Sequence, residues 1–165
     1  MRSILVLLAA VFMFIGCSKK TDYLKSAEEN LKNNKIQEAV SDYENFVKEN
    51  PASEKAPKAL TKLASIYQNK MIKNLSAKES LEKSVQIYRR VYDEYPNSAQ
   101  APTSLFMSAF ILANELQKYH PAEVIYKLFL QKFPNHELTN SAREELNNLG
   151  LSPEEILKRK STPNT

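Results

Sequence analysis

The chain has 165 residues, a length that favours one domain over a multidomain enzyme. Its two glycines, Gly16 and Gly150, nearly exclude sheet-rich folds and glycine-rich nucleotide loops, which need backbone with positive φ. One cysteine excludes an intrachain disulfide and, with only two histidines, the usual structural zinc sets. The net charge of +4 comes from scattered basic residues, which favours solubility and argues against a nucleic-acid partner.

The first 16 residues have the pattern of a signal peptide. Met1 and Arg2 precede an unbroken apolar run from Ile4 to Ile15, which Gly16 ends. This run of 12 residues suits a signal-peptide core but is shorter than the roughly 20 residues that a spanning helix needs. An ordinary secretory signal cut nearby and a short uncleaved anchor are the alternatives, and both still export the chain.

The stretch Phe14-Ile15-Gly16-Cys17 resembles the lipobox of bacterial lipoproteins, with Phe14 where that family usually has leucine. The resemblance implies cleavage after residue 16 and attachment of lipid, such as palmitate, at Cys17. Ser18 resembles the outer-membrane default of Gram-negative sorting, so we expect a periplasm-facing outer-membrane protein, with the inner membrane and the cell surface as alternatives. Residues 17–20 would be a short linker that keeps the domain close to its membrane.

Three segments of the remaining chain share one pattern. They open at Tyr43, Tyr88 and Tyr126, and each has apolar residues three and four positions later and a proline eight positions later. The apolar spacing predicts one face of a helix, and the proline predicts its end. The intervals of 45 and 38 residues between the tyrosines leave room for two antiparallel helices per unit. The three prolines are Pro51, Pro96 and Pro134.

This pattern resembles the tetratricopeptide repeat, a 34-residue helix-turn-helix unit, over residues 21–149. In the first unit the matching residues are Tyr23, Ala27, Ala39, Tyr43, Phe46 and Pro51. The resemblance implies an all-α fold of three hairpins stacked in a right-handed superhelix. The expected parts are units at about 21–56, 57–101 and 102–137, a capping helix at 138–149, and a short helix with a disordered tail at 150–165. Relative to the repeat, about eight extra residues lie around Asn69–Leu75 and one near His120-Pro121.

The connection from Pro51 to Leu60 recurs as Pro96 to Leu105. It resembles that of the BamD/YfiO outer-membrane assembly lipoproteins and of the YbgF/CpoB periplasmic proteins. The resemblance implies a non-enzymatic scaffold of the bacterial envelope that binds a protein or peptide, as a subunit of a complex. The alternative is an exported helical-repeat accessory protein that binds a small ligand or glycan.

Repeat families of this kind bind partners in a concave groove lined by the first helix of each unit. If Leu60, Leu63, Ala64 and Tyr67 face the stack, the groove side chains of the second unit are Lys58, Thr61, Ser65 and Gln68. In the third unit they are Thr103, Phe106, Phe110 and Ala113, with Asn114 one turn beyond Phe110. Phe106 and Phe110 either form an apolar ledge beside Asn114 that suits a peptide, or they are buried in the stack.

No motif of catalysis or metal binding is found in the sequence. His120 and His136 fall in predicted inter-helix loops with no cysteine or acidic triad around them, and no serine lies in a Gly-x-Ser-x-Gly elbow. The basic clusters Arg89-Arg90 and Lys158-Arg159-Lys160 are interpreted as solvated charge. We therefore expect no catalytic residue, no metal site and no cofactor.

Overall fold

The chain forms eight α-helices within residues 22–161, the part that the computed structural model describes. The helices are α1 (Tyr23–Lys32), α2 (Ile36–Glu49), α3 (Ala56–Gln68), α4 (Ala77–Glu94), α5 (Ala101–Phe110), α6 (Tyr119–Lys132), α7 (Thr139–Asn147) and α8 (Pro153–Ser161). No strand occurs in this range, and the predicted all-α fold of helical hairpins is confirmed. The predicted signal peptide, the linker with Cys17, and residues 162–165 lie outside the described residues. Within residues 22–161, none of the helices combines the length and the apolar character needed to cross a bilayer.

The helices pack in chain order. α1 pairs with α2, α3 with α4 and α5 with α6, and each second helix also packs against the first helix of the next hairpin. α7 follows as the next first helix and packs on α6. Its exposed side chains are polar, which suits the end of a stack: Asn140, Ser141, Arg143, Glu144 and Asn147.

The three second helices end in the same way. The residues before the three prolines, Asn50, Tyr95 and Phe133, have nearly the same backbone angles, with φ between −132° and −128° and ψ of 54° or 55°. In each case the amide donates a hydrogen bond to the carbonyl four residues earlier. Proline cannot continue the helix and disfavours the α-helical region for the residue before it, so each of the three second helices ends at this residue.

The turns after these stops also match. Ser53, Ser98 and His136 each donate an amide hydrogen bond to the residue before the proline, at 3.0 to 3.2 Å. Ser53 Oγ then accepts from the amide of Lys55, and His136 Nδ1 accepts from the amide of Leu138, both at 3.2 Å. The imidazole of His136 therefore takes the place of a serine hydroxyl in the third copy of the turn.

Inside each hairpin, the turn after the first helix contains one residue in the left-handed region. These residues are Asn34, Lys70 and Gln117, with φ between 52° and 57°. The residue after each donates its amide back to a carbonyl in the last turn of the helix, at 2.7 to 3.2 Å. None of the three is glycine, although this conformation costs other residues roughly 1 kcal/mol.

The two predicted insertions are accommodated differently. The connection between α3 and α4 has eight residues, 69–76, whereas those after α1 and before α6 have three, 33–35 and 116–118. In the third hairpin, α5 continues as a π-helical turn, Ile111–Glu115, in which Leu116 donates to the carbonyl of Ile111. A π-helical turn takes one residue more than an α-helical turn. The extra residue expected near His120-Pro121 therefore lies in the π-helical turn instead. His120 and Pro121 both belong to the first turn of α6.

The core runs along the stack as three touching clusters. The first lies between the first two hairpins, the second between the third hairpin and α7, and the third joins them through Ala64, Leu81, Tyr88 and Ile111. Tyr43, Tyr88 and Tyr126, which open the repeated segments, are all at most 5% exposed. Burying an aromatic side chain of this kind contributes about 1.5–3 kcal/mol.

Buried serines join neighbouring helices at close range. The hydroxyl of Ser84 donates to the carbonyl of Ala64 at 2.9 Å, and that of Ser80 to the carbonyl of Tyr67 at 2.7 Å. Ser108, where the repeat usually has a larger apolar residue, donates to the carbonyl of Leu105 in its own helix. Because each of these hydroxyls is hydrogen-bonded, the helices approach closely without the cost of an unpaired polar group.

Candidate functional site

The surface formed by α1, α3 and α5, here named the first-helix face, carries the predicted groove residues. On α3, Lys58 is exposed, and Thr61, Ser65 and Gln68 are half-buried. The hydroxyl of Thr61 donates to the carbonyl of Pro57 at 2.8 Å. Gln68 Oε1 accepts a hydrogen bond from the hydroxyl of Tyr88 at 2.9 Å, so this side chain is engaged by α4.

The predicted residues of α5 and of the π-helical turn after it divide into two groups. Thr103 and Asn114 are exposed and Phe110 is half-buried, whereas Ala113 is only 5% exposed and so is not a groove residue. Phe106 is only 7% exposed, and its ring centroid lies 5.8 Å from those of Tyr126 and Phe129 in edge-to-face geometry. The interpretation of Phe106 as part of an exposed ledge is therefore wrong. Phe106 belongs to the core because α6 brings two aromatic rings against it, a contact that spacing along α5 cannot reveal.

Asn114 links two first helices at the far end of the first-helix face. Its Nδ2 donates to Glu145 Oε2 of α7 at 3.0 Å and to the carbonyl of Phe110 at 3.3 Å. A cleft of about 550 Å³ opens beside it between the end of the third hairpin's first helix, α7 and the start of α8. The carboxylates of Glu144 and Glu145 give this end an acidic lining.

A second cleft, of about 340 Å³, lies between α1 and α3 at the other end of the first-helix face. We name it the lysine cleft, because four of its lining residues are lysines. It is lined by Asp22, Leu24, Lys25, Glu28, Tyr43, Lys55, Lys58, Ala59 and Lys62. Of these, sequence reasoning identified only Lys58 as a groove residue, although the four-residue spacing of Lys58 and Lys62 places both on one side of α3.

The floor of the lysine cleft is largely apolar, and its rim is charged. Ala59 and Tyr43 are buried, and Leu24 is half-buried. The pKa of the Tyr43 hydroxyl is raised, first by burial and then by the nearby charge of Glu28. The hydroxyl is therefore protonated at neutral pH and keeps its capacity to donate a hydrogen bond.

The other residues that the sequence analysis considered lie apart from both clefts. His120 is exposed in α6, and the ring of His136 packs edge-to-face on Phe129 at 5.9 Å. Arg89 and Arg90 pair with Asp93 and Glu94 on their own helix. Arg159 donates to the carbonyl of Asn147 at 2.7 Å. Within residues 22–161, no group of three or more His, Cys, Asp or Glu side chains is arranged to hold a metal ion.

Comparison with known families finds the tetratricopeptide repeat in two stretches, residues 58–98 and 103–136. These stretches lie on the second and third hairpins and make up somewhat under half of the chain. The match supports a tetratricopeptide repeat protein and suggests a protein–protein interaction scaffold, because repeats of this kind generally mediate binding of protein partners. No curated protein matches the chain.

Proposed function

We propose that this chain is a membrane-anchored scaffold of the bacterial cell envelope that binds a protein or peptide partner on its first-helix face. Outer-membrane protein assembly is the process to which the resemblance of the connecting segments points. The observation that carries the proposal is the row of successive first helices, which presents exposed side chains such as Lys58 and Thr103 and an open cleft beside Lys58. The tetratricopeptide match supports partner binding.

Anchoring is supported by the sequence alone. The apolar run from Ile4 to Ile15 and the Gly16-Cys17 pair that follows it suit a lipoprotein signal, and both lie outside the described residues. α1 begins at Tyr23, six residues after Cys17. At about 3.5 Å per residue, a lipid on Cys17 would hold the first hairpin within roughly 20 Å of the membrane.

Site-specific photo-crosslinking in intact cells tests the binding surface. Benzoylphenylalanine in place of Thr103, which is exposed on α5, is expected to give crosslinked protein adducts. The same probe in place of Val124, which is 55% exposed on the second helix α6, is the matched control and is expected to give none. Adducts from Val124 alone, or from neither position, would contradict the proposal.

Intact-mass measurement of the protein purified from membranes tests the anchor. The expected mass is that of a chain starting at Cys17 and carrying lipid. The Cys17→Ser variant is expected to lack the lipid mass and to leave the membrane fraction. A mass that still includes residues 1–16 would disprove the lipid anchor at Cys17 without affecting the binding surface.

The alternative function, binding of a small ligand or glycan between helices, requires an open cavity with an aromatic lining. The aromatic residues concentrate in the third hairpin, where the rings of Phe106, Tyr126 and Phe129 pack against one another. These rings contribute to the core, and no specific observation favours this function over the binding of a protein partner.

A further inference from the structure

The α3 side of the lysine cleft is a wall of positive charge. Lys55 directly precedes α3, and Lys58 and Lys62 lie one turn apart on it. All three are exposed, and within residues 22–161 none of them forms an ion pair. No ion pair in the described part of the chain therefore neutralises these charges.

The α1 side of the cleft is of mixed charge. Lys25 lies 3.9 Å from Glu29, a weak and exposed pair. The carboxylate of Asp22 is engaged locally, because it accepts a hydrogen bond from the amide of Lys25 and caps α1. The lining as a whole has four lysines against two carboxylates, Asp22 and Glu28, so the cleft is net positive.

Lys55 and Lys58 do not stabilise α3. Lys58 lies in the first turn of α3, where the positive end of the helix dipole disfavours cations, and this turn contains no acidic residue. Lys55, at the N-cap, makes no side-chain capping hydrogen bond. Folding gains nothing from positive charge at these positions, which points to a role in contacts outside the chain.

We infer that the lysine cleft binds an acidic peptide segment of the partner protein. Carboxylates of the segment contact Lys55, Lys58 and Lys62, and an apolar side chain of the segment lies on Leu24 and Ala59. This inference rests on the proposed function, because it names the chemistry of the partner.

An anionic membrane surface is the other polyanion that such lysines could meet. The concave form of the cleft and its apolar floor argue against it, because a flat bilayer surface reaches lysine tips but not Leu24, Tyr43 or Ala59 at the bottom. The experiment therefore includes a membrane arm.

The test selects peptides from a phage-displayed library of random decapeptides on the full chain in mild detergent. The expected result is enrichment of Asp and Glu among the selected peptides. The double variant Lys58→Glu/Lys62→Glu is expected to bind a selected, fluorescein-labelled peptide at least about tenfold more weakly, because two charge-assisted contacts are reversed. The melting temperature of this double variant should not fall, because an acidic side chain at position 58 is favoured in the first turn of α3.

Lys73→Glu/Lys78→Glu is the matched control, because it changes the net charge equally at two exposed lysines outside the cleft. Its affinity for the peptide is expected to be within about threefold of that of the original chain. Equal weakening by both double variants would overturn the inference, since only net charge would then matter. Selected peptides without acidic enrichment would also overturn it but leave the proposed function in place, whereas selection of no peptide would overturn both.

The membrane arm measures cosedimentation with vesicles that contain phosphatidylglycerol. The two double variants are expected to cosediment to the same extent. If Lys58→Glu/Lys62→Glu alone loses vesicle binding while peptide binding is unaffected, the cleft is a membrane contact and the inference is wrong.

Discussion

The hydroxyls of Tyr88 and Tyr126 occupy matching positions in two hairpins but differ in hydrogen bonding. Tyr88 donates to Gln68 Oε1 at 2.9 Å, whereas the Tyr126 hydroxyl is buried without a partner among the described residues. Ala113 stands where the second hairpin has Gln68, given the 45-residue interval between the two first helices. Burial raises the pKa of both hydroxyls, so both are neutral at physiological pH. An unpaired buried hydroxyl costs roughly 1–3 kcal/mol.

Tyr126→Phe is therefore expected to leave the free energy of unfolding unchanged or to raise it by about 1 kcal/mol, because the change removes an unpaired group. Tyr88→Phe should lower it by about 1 kcal/mol, because a hydrogen bond is lost while the ring is kept. Urea denaturation followed by circular dichroism measures both. A larger loss for Tyr126→Phe than for Tyr88→Phe would mean that Tyr126 has a partner, such as a buried water.

Backbone strain can be tested at the left-handed residue of the third hairpin, Gln117, with φ of 52°. Gln117→Gly should raise the free energy of unfolding by about 0.5–1 kcal/mol, because glycine adopts this conformation without steric cost. Gly150, with φ of 79°, is the reciprocal case: Gly150→Ala should lower stability by about 1 kcal/mol from strain alone, since the nearest atom to the added Cβ would be 3.6 Å away. Thermal denaturation of the two variants should shift in opposite directions.

A capping box begins α4, and the same reciprocal hydrogen bonds between Ser152 and Glu155 begin α8. Ser76 Oγ accepts from the amide of Glu79, and the Glu79 carboxylate accepts from the amide and hydroxyl of Ser76 at 2.9 and 2.6 Å. These hydrogen bonds lower the pKa of Glu79. The capping box fixes the first turn of α4, which follows the long connection 69–76. The other second helices follow three-residue turns, which already position their first residues.

Ser76→Ala should lower the free energy of unfolding by about 1 kcal/mol at neutral pH. The pKa of Glu79 is lower in the folded chain than in the unfolded one. Its stabilising contribution is therefore complete above the unfolded pKa and is lost as pH falls through the folded pKa. The difference between the original chain and Ser76→Ala should narrow over that acidic range, as measured by urea denaturation at a series of pH values. Lys78→Ala, in the same exposed turn, is the control and should change stability by no more than about 0.5 kcal/mol at any pH.

The whole molecule is a row of hairpins in which each unit contacts its neighbours, so stability should be distributed along the row. Leu60 is fully buried in the cluster between the first two hairpins, and Leu105 is fully buried in the cluster between the third hairpin and α7. Replacement of either leucine by alanine should cost about 2–5 kcal/mol. The two changes should destabilise different helices, because few contacts connect the first hairpins with the α7 end of the row.

Hydrogen exchange followed by mass spectrometry can locate these effects. Leu60→Ala is expected to speed exchange in α1 to α4 more than in α6 and α7, and Leu105→Ala to do the reverse. The comparison of two leucine-to-alanine changes controls for the chemistry of the substitution. Uniform acceleration along the chain in both variants would show that the stack unfolds as one cooperative unit.

The helical hairpins and their ends were determined by the sequence itself, because the rules that produce them are local. Apolar spacing defines each helix face, and Pro51, Pro96 and Pro134 impose the same backbone on Asn50, Tyr95 and Phe133 wherever they stand. The tetratricopeptide pattern could be recognised for the same reason. Lys58 and Thr103 were also correctly expected to be exposed, since a polar residue outside an apolar stripe faces solvent in most contexts.

The roles of the remaining candidate residues were decided by tertiary structure alone. Phe106 is buried because Tyr126 and Phe129 arrive from another helix, and Gln68 is engaged because Tyr88 lies opposite it. The lysine cleft joins side chains of α1 with side chains of α3 that are some thirty residues away in the sequence. Such contacts depend on the crossing angle and the distance between packed helices. Both are set by all the contacts between the helices together, so neither can be read from the apolar spacing of one segment.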